Sequence, residues 1–371
     1  MKVLITGANG FLGKNLRLHL SERKDVEVLT FTHDMSEAQL PGLVKDVDFI
    51  FHLAGVNRPE SSADFTKGNK CLTEKISSAI VESGRRIPVV YTSSTQAACN
   101  NDYGISKLDA ENALFRLKNE YGSAVYIFRL PNVFGKWSRP NYNSVVSTFC
   151  HNVSRDLPIQ INNPDAPLTL VYVDDVIYKF IQLMDGADCD FSQEGFATVS
   201  PQYTTTVGAL AEQIIAFKNS RSNLITEKVG IGLRRALYST YLSYLPTEEF
   251  SYTVPQHGDA RGTFVEMLKT PDCGQFSYFT AHPGVTRGGH YHHSKTEKFL
   301  VIKGSAKFKF RQMSTGESYE LTTMAEKAEI VETVPGWTHD ITNIGNEELI
   351  VMLWANEIFD RDKPDTYSCP L

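Results

Sequence analysis

The chain has 371 residues, 42% of them hydrophobic and 22% charged, an ordinary soluble composition long enough for two domains. A net charge of −6 gives no electrostatic reason to expect nucleic acid or an anionic membrane as a partner, and no stretch approaches the length of a membrane span. The six cysteines contain no C-x-x-C pair, which argues against a disulfide framework or a thiolate metal site and for a reduced, cytoplasmic protein.

Residues 2–5 form a short apolar run, too short for a secretory signal, that breaks at once into Gly7, Gly10 and Gly13 before a helical pattern begins. Strand, turn and helix in that order point to nucleotide binding. Gly7 makes the tight turn, Gly10 lets backbone approach a pyrophosphate, and Gly13 lets helix lie close to strand. The N–H groups that open the helix, at Phe11 and Leu12 onward, then face phosphate.

Up to about residue 135 strand-like and helix-like patterns alternate, as in a doubly wound parallel sheet, with strands expected at 26–31, 48–53, 88–92 and 125–130. An acid at the end of the second strand would read the ribose of NAD. Here the first acid, Asp34, comes late, which favours NADP, with His33 either a phosphate contact or a plain loop residue. Residues 51–55 end the next strand in Leu53, Ala54 and Gly55, small enough for close cofactor approach, and Arg58 beyond them either meets a substrate phosphate or is solvated.

Tyr103 and Lys107, four apart, share a helix face, so the ammonium favours the phenolate and tunes Tyr103 to exchange a proton at a carbonyl. Ser94 ends the preceding strand and would bond the same oxygen, with Ser93 as the alternative, and Gln96 is a candidate substrate contact. Farther on, residues 170–176 read as a strand with an Asp cap to a helix at 176–184, and 207–218 as another helix. The tyrosines between 238 and 250 suggest a packed junction or subunit interface, and the domain boundary is placed there, at 247/248.

Beyond it the periodicity changes to short strands, and six of the ten histidines lie after residue 256. In an extended segment His290 and His292 share a face and His293 points outward, while Glu297 opens the returning strand and His339 follows on a later one. Four such groups make a metal site; three nitrogens and one oxygen suit Zn²⁺, with Mn, Fe and Ni as alternatives.

The G-x-x-G-x-x-G turn, the H-L-A-G segment and the Ser94–Tyr103–Lys107 order resemble the extended short-chain dehydrogenase/reductase family. Residues 129–135, Arg-Leu-Pro-Asn-Val-Phe-Gly, resemble that family's nucleotide-sugar members, which makes Asn132, Lys136 and Arg139 either contacts for the diphosphate and sugar or plain surface residues, and residues 170–176 resemble a further segment of the family. Residues 284–304 and 335–343 resemble the two cupin motifs, the second one residue short between Pro335 and Gly336, and residues 259–264 resemble the opening strand of the sugar-nucleotide epimerase cupins. The resemblance implies an α/β Rossmann-type reductase domain at 1–247 fused to an all-β cupin, a double-stranded β-helix, at 248–371.

An extended reductase fused to a cupin resembles the bifunctional enzymes of capsule and O-antigen biosynthesis. That implies NADPH, a UDP-linked 2-acetamido-2,6-dideoxy-hexos-4-ulose substrate, C3 epimerisation in the cupin before C4 reduction, and a homodimer. Asp259, Tyr291 and His293 are the candidates for the cupin base. The alternatives are a reductase whose cupin metal is structural, a nucleotide-sensing binding protein without catalysis, and a metal-dependent oxygenase.

Overall fold

In the computed structural model, β1 (Lys2–Thr6), β2 (Glu27–Phe31), β3 (Phe49–His52), β4 (Val89–Ser94) and β5 (Val125–Leu130) form a parallel sheet in the order β2-β1-β3-β4-β5. The residues described are 1–57, 59, 61–259, 262–265, 267–268, 270, 274–357 and 362–371, so Arg58 lies outside them. Two compact units divide the chain: Met1–Val133 with Thr169–Thr204, and Phe134–Leu168 with Thr205–Leu371.

In the first unit the central strands are covered on both faces and read as continuous apolar runs, which is why Leu4, Ile50, Val89 and Ile127 are buried in one core. The covering helices include α1 (Phe11–Ser21), α2 (Leu72–Glu82), α3 (Asp102–Tyr121) and α4 (Val173–Met184). Asn101 caps α3 through a bond from Gly104 N–H at 2.8 Å, and Gly122 ends it in the left-handed region at φ 74°. Chain order reverses at β1 and β3, so the carboxyl ends of these two strands flank the crevice where such sheets hold ligands.

Two local expectations change. The helix expected at 176–184 starts at Val173, so Asp174 and Asp175 sit in its first turn instead of capping it, and Asp174 lies 3.5 Å from His19. Acids there complement the helix dipole, which satisfies the sequence signal equally well. The helix expected at 207–218 runs five residues further, as α5 (Val207–Asn223).

The second unit holds α5, α6 (Gly232–Leu242) and the helix Val145–Val153 together with an antiparallel barrel. One barrel sheet joins β6 (Ser251–Thr253), β7 (Gln275–Ala281), β9 (Glu297–Lys303), β12 (Glu329–Glu332) and β14 (Leu349–Ala355) in the order β7-β14-β9-β12-β6. The other joins β8 (Thr286–Tyr291), β10 (Ser305–Gln312), β11 (Ser318–Met324), β13 (Trp337–Asn343) and β15 (Tyr367–Ser368) in the order β11-β10-β13-β8-β15. Their inner side chains, among them Phe299, Phe308 and Phe310, make the cupin core.

The division at 247/248 marks where helices give way to strands, yet α5 and α6 cluster with the barrel. The tyrosine-rich helix explains this. Tyr238 and Tyr241 are buried, with rings 5.1 and 6.1 Å from Phe217 of α5. Arg221 of α5 pairs with Glu332 of β12, and Lys298 of β9 pairs with the same carboxylate and donates to Tyr252 Oη at 2.7 Å. Among the described residues no helix is long and apolar enough to cross a membrane.

Candidate active site and metal centre

The glycine turn has the geometry its spacing implies. Gly7 adopts φ +68°, and a Cβ there would lie 2.7 Å from Ala54 N, so the exit of β3 runs against the turn. A Cβ on Gly13 would come within 2.3 Å of the Gly7 carbonyl oxygen. At Gly10 it would meet only that oxygen, at 3.1 Å, which leaves the outer face open to a ligand. Gly10 is also the N-cap of α1 and puts no side chain across its first N–H groups, those of Phe11 and Leu12. These features fit a dinucleotide pyrophosphate. His33 lies in the turn after β2, its side chain 94% exposed and 3.9 Å from Asp34.

Leu53, Ala54 and Gly55 follow a buried polar chain. Thr73 Oγ1 donates to the Asn69 carbonyl at 2.7 Å, so it accepts from His52 Nε2–H at 2.8 Å. His52 Nδ1 then accepts from Thr6 Oγ1, at 2.7 Å, and Thr6 in turn accepts from Ala54 N–H at 3.2 Å. Burial pushes the His52 pKa down to about 3, so the ring stays neutral in this role. Gly55 serves a second purpose: a Cβ there would lie 2.9 Å from Lys107 Nζ.

Lys107 projects from α3 into that space and donates to the Thr92 carbonyl at 3.0 Å. Burial pushes its pKa down to about 8 against the raising effect of Glu111. Tyr103 is one turn earlier on α3, its ring 5.7 Å from Phe65. Ser94 ends β4 half-buried and accepts from Gln96 N–H at 3.1 Å, whereas Ser93 is buried and donates to Glu111 at 2.5 Å. Of the two serines, Ser94 is the one with an accessible hydroxyl.

The candidates for substrate contact divide. Gln96 is exposed beside Asn101, 3.3 Å away, and Asn132 is exposed with its amide 3.4 Å from the Thr169 carbonyl. Lys136 and Arg139 belong to the second unit. There Lys136 is buried, with its ammonium 5.7 Å from the Trp137 ring, and Arg139 is exposed against Tyr142.

In the barrel the four expected ligands converge. His290 and His339 are direct neighbours across the β8–β13 ladder, their rings 4.8 Å apart. The His292 ring lies 5.1 Å from His290 and 5.2 Å from His339. Glu297 Oε2 is 3.2 Å from His292 Nε2 and 3.6 Å from His339 Nε2. One ligand atom from each of the four lies within 4.8 Å of the others. A tetrahedral ion with bonds near 2.0 Å needs donor atoms roughly 3.3 Å apart, so the cage has the right size.

The electrostatics also fit a cation. His292 Nδ1–H donates to the Asp365 carbonyl oxygen, which leaves Nε2 with a lone pair facing the Glu297 carboxylate. Two acceptors that face each other require a cation or proton between them. Burial, then His339 and His292, push the His290 pKa down to about 4, so its imidazole is neutral and available as a ligand. Burial raises Glu297, but the charge of a protonated His292 outweighs it and holds the carboxyl well below its ordinary range, so that, with no ion present, a proton on His292 Nε2 fills the place a cation would take.

His293 does not take the outer face. The strand ends at Tyr291, so the alternation that would have pointed His293 outward has already stopped, and its buried ring lies 5.6 Å from Tyr291 and 5.0 Å from Tyr367. The shortened P-G turn keeps its function. Gly336 takes φ +81° and its N–H donates to the His292 carbonyl at 3.0 Å, tying the second motif to the first. Sequence reasoning missed Asp365 and the Glu111–Arg129 pair, 2.7 Å apart, behind Ser93. Arg129 was visible in its motif, but nothing local marked Glu111 as its partner.

A glycine-turn dinucleotide fold that carries Ser94 at the end of β4 and Tyr103 and Lys107 on the next helix, in one chain with a barrel that gathers three histidines and a glutamate, defines a short-chain reductase with an appended cupin. Residues 3–190 match the NAD dependent epimerase/dehydratase family and 257–367 the polysaccharide biosynthesis C-terminal domain. The chain belongs to the NAD dependent epimerase/dehydratase family. It is 64% identical over 369 residues to the UDP-2-acetamido-2,6-beta-L-arabino-hexul-4-ose reductase of Pseudomonas aeruginosa, covering 100% of this chain and 98% of the relative. It matches the crystal structure of the capsular polysaccharide assembling protein CapF from Staphylococcus aureus with TM-score 0.68 and 38% identity, covering 100% of both chains. UDP-glucose 4-epimerase of Thermotoga maritima matches 59% of this chain and 83% of its own, with TM-score 0.52 and 20% identity, a likeness of fold alone.

Proposed function

We propose that the protein reduces the C4 ketone of a UDP-2-acetamido-2,6-dideoxy-hexos-4-ulose with NADPH, after the barrel has epimerised the same sugar at C3. The observation that carries this reading is the 64% identity, through both domains, to a relative named for reducing a UDP-linked hexul-4-ose.

In the reductase site NADPH supplies the hydride. Tyr103 gives its proton to the C4 oxygen as negative charge develops there, and Ser94 donates a hydrogen bond to the same atom. The Lys107 ammonium stabilises the phenolate left behind. Gly7, Gly10, Phe11, Leu12 and Gly13 hold the pyrophosphate, Leu53, Ala54 and Gly55 line the cofactor, and His33 contacts the ribose phosphate. Arg58, Gln96, Asn132, Lys136 and Arg139 are assigned to the substrate's sugar and diphosphate.

In the barrel His290, His292, Glu297 and His339 would hold a divalent ion, Zn²⁺ by donor set, which would supply positive charge where an anion develops beside C3. The 4-keto group acidifies the C3 proton, so epimerisation precedes reduction. Asp259, Tyr291 and His293 are the candidates to move that proton. The enzyme works as a cytoplasmic homodimer.

Offering the 4-keto sugar nucleotide in D₂O with and without NADPH tests the scheme. Deuterium should enter at C3 without cofactor and fail to enter in His290→Ala, while the C4 alcohol should form only with NADPH. C3 exchange that survives in His290→Ala removes the barrel from the chemistry.

A further inference from the structure

Three of the four ligands in the cage are braced by one short segment near residue 365. Its strand β15 pairs with β8 in the register His290↔Ser368 and Tyr291↔Tyr367. Cys369 N–H donates to the Gly289 carbonyl at 2.7 Å, and Thr338, next to His339, donates through Oγ1 to the Cys369 carbonyl at 2.5 Å. Tyr367 stacks on Tyr291 with ring centroids 5.6 Å apart.

Asp365 is the densest point of this brace. Its backbone carbonyl accepts from His292 Nδ1–H. One carboxylate oxygen accepts from His293 N–H at 2.8 Å; the other accepts from the N–H groups of Ser294 and Lys295, both at 2.7 Å, and from Ser294 Oγ at 3.1 Å. Three successive backbone donors on one carboxylate fix the turn that carries the chain from His292 to Glu297. The carbonyl settles which nitrogen of His292 is free to bind, and the carboxylate settles where the turn presents Glu297.

We propose that Asp365 is a positioning residue for the metal cage, holding His292 in the tautomer that offers Nε2 and fixing the His293–Lys295 turn so that a divalent cation meets a preorganised donor set. It touches neither the ion nor the sugar. The inference rests on the reading of His290, His292, Glu297 and His339 as metal ligands.

The test uses full-length protein, Co²⁺ as probe, and Asp365→Asn beside Asp365→Glu. The Asn side chain turns an N–H₂ toward backbone donors, whereas Glu keeps the charge but misplaces it. Competition with a chromophoric chelator should show Co²⁺ affinity reduced ~10–100-fold in Asp365→Asn, with altered ligand-field bands. NADPH binding should be unchanged, and Asp365→Glu should recover part of the affinity. Should Asp365→Asn fail to fold, Asp365→Glu carries the comparison through the same two readouts. A purely structural role would lower Tm and leave affinity and bands at wild-type values in the folded variants, which overturns the inference. Wild-type protein that takes up no Co²⁺ sinks the metal reading and this inference with it; wild-type uptake matched by both variants sinks the inference alone.

Discussion

Lys107 Nζ is bonded to the Thr92 carbonyl at 3.0 Å in a space that exists only because residue 55 has no side chain. Helix α3 and strand β4 are thereby fixed to each other at the point where Tyr103 and Ser94 emerge, and the cation is held away from water. The resulting pKa, about 8 instead of 10.5, makes the site sensitive to mild alkali.

Reductase rate should hold near neutral pH and fall as pH rises through about 8, when the ammonium loses its proton. Lys107→Met should be slower by roughly 10²–10⁴-fold and lack that alkaline limb. Stability runs the other way. Because the folded pKa lies below the unfolded value, the unfolded chain binds more protons between about 8 and 10.5, so urea midpoints should rise with pH across that window and stay flatter in Lys107→Met.

Gly13→Ala places a methyl 2.3 Å from the Gly7 carbonyl and 2.7 Å from Ala8 Cα, both of them backbone atoms with little room to move. The variant should lose about 1–3 kcal/mol of stability and bind NADPH more than tenfold more weakly, read by thermal melting and by cofactor fluorescence. Wild-type affinity in this variant would show that the turn does not carry the pyrophosphate.

Under the proposed scheme, removing a metal from the barrel should separate C3 exchange from C4 reduction. After exhaustive chelation, C3 deuterium exchange should vanish while C4 reduction of sugar already epimerised continues, and Tm should fall because a ligand of the folded state is gone. Glu297→Gln should reproduce the loss of exchange and bind Co²⁺ at least tenfold more weakly by chelator competition.

Glu332 sits between Lys298 and Arg221, and both Glu332 and Lys298 are nearly inaccessible. Burial raises its pKa, but Lys298 and Arg221 hold the carboxyl below the ordinary value. Glu332→Gln leaves the buried Lys298 ammonium without a carboxylate and Arg221 with only Glu249, 3.8 Å away, and should cost about 3–5 kcal/mol in urea denaturation. The carboxylate's contribution is present at neutral pH and is lost as pH falls through its depressed pKa.

The reductase half was largely legible because its signals are local. A strand, a glycine turn and a Tyr-x-x-x-Lys helix each depend on residues within one or two turns, and the parallel strands are apolar throughout. The barrel's histidine and glutamate cluster was legible for the same reason, since His290, His292 and Glu297 fall within eight positions. What escaped depends on where a strand stops or on remote partners. The end of β8 at Tyr291 decides the burial of His293, and Asp365 lies 73 positions from the His292 ring that it orients. No periodicity reports such a pairing.

The shared carboxylate of Glu332 bears on how the molecule can be dissected. A fragment begun at residue 248 would keep Lys298 and Glu332 but discard Arg221, Tyr238 and Tyr241, exposing to water a surface shaped to be covered. The helices written into the reductase stretch of the gene are, in folding terms, the lid of the barrel. Subcloning at the visible change of periodicity should therefore yield an insoluble product, and a cut that retains α5 and α6 a tractable one.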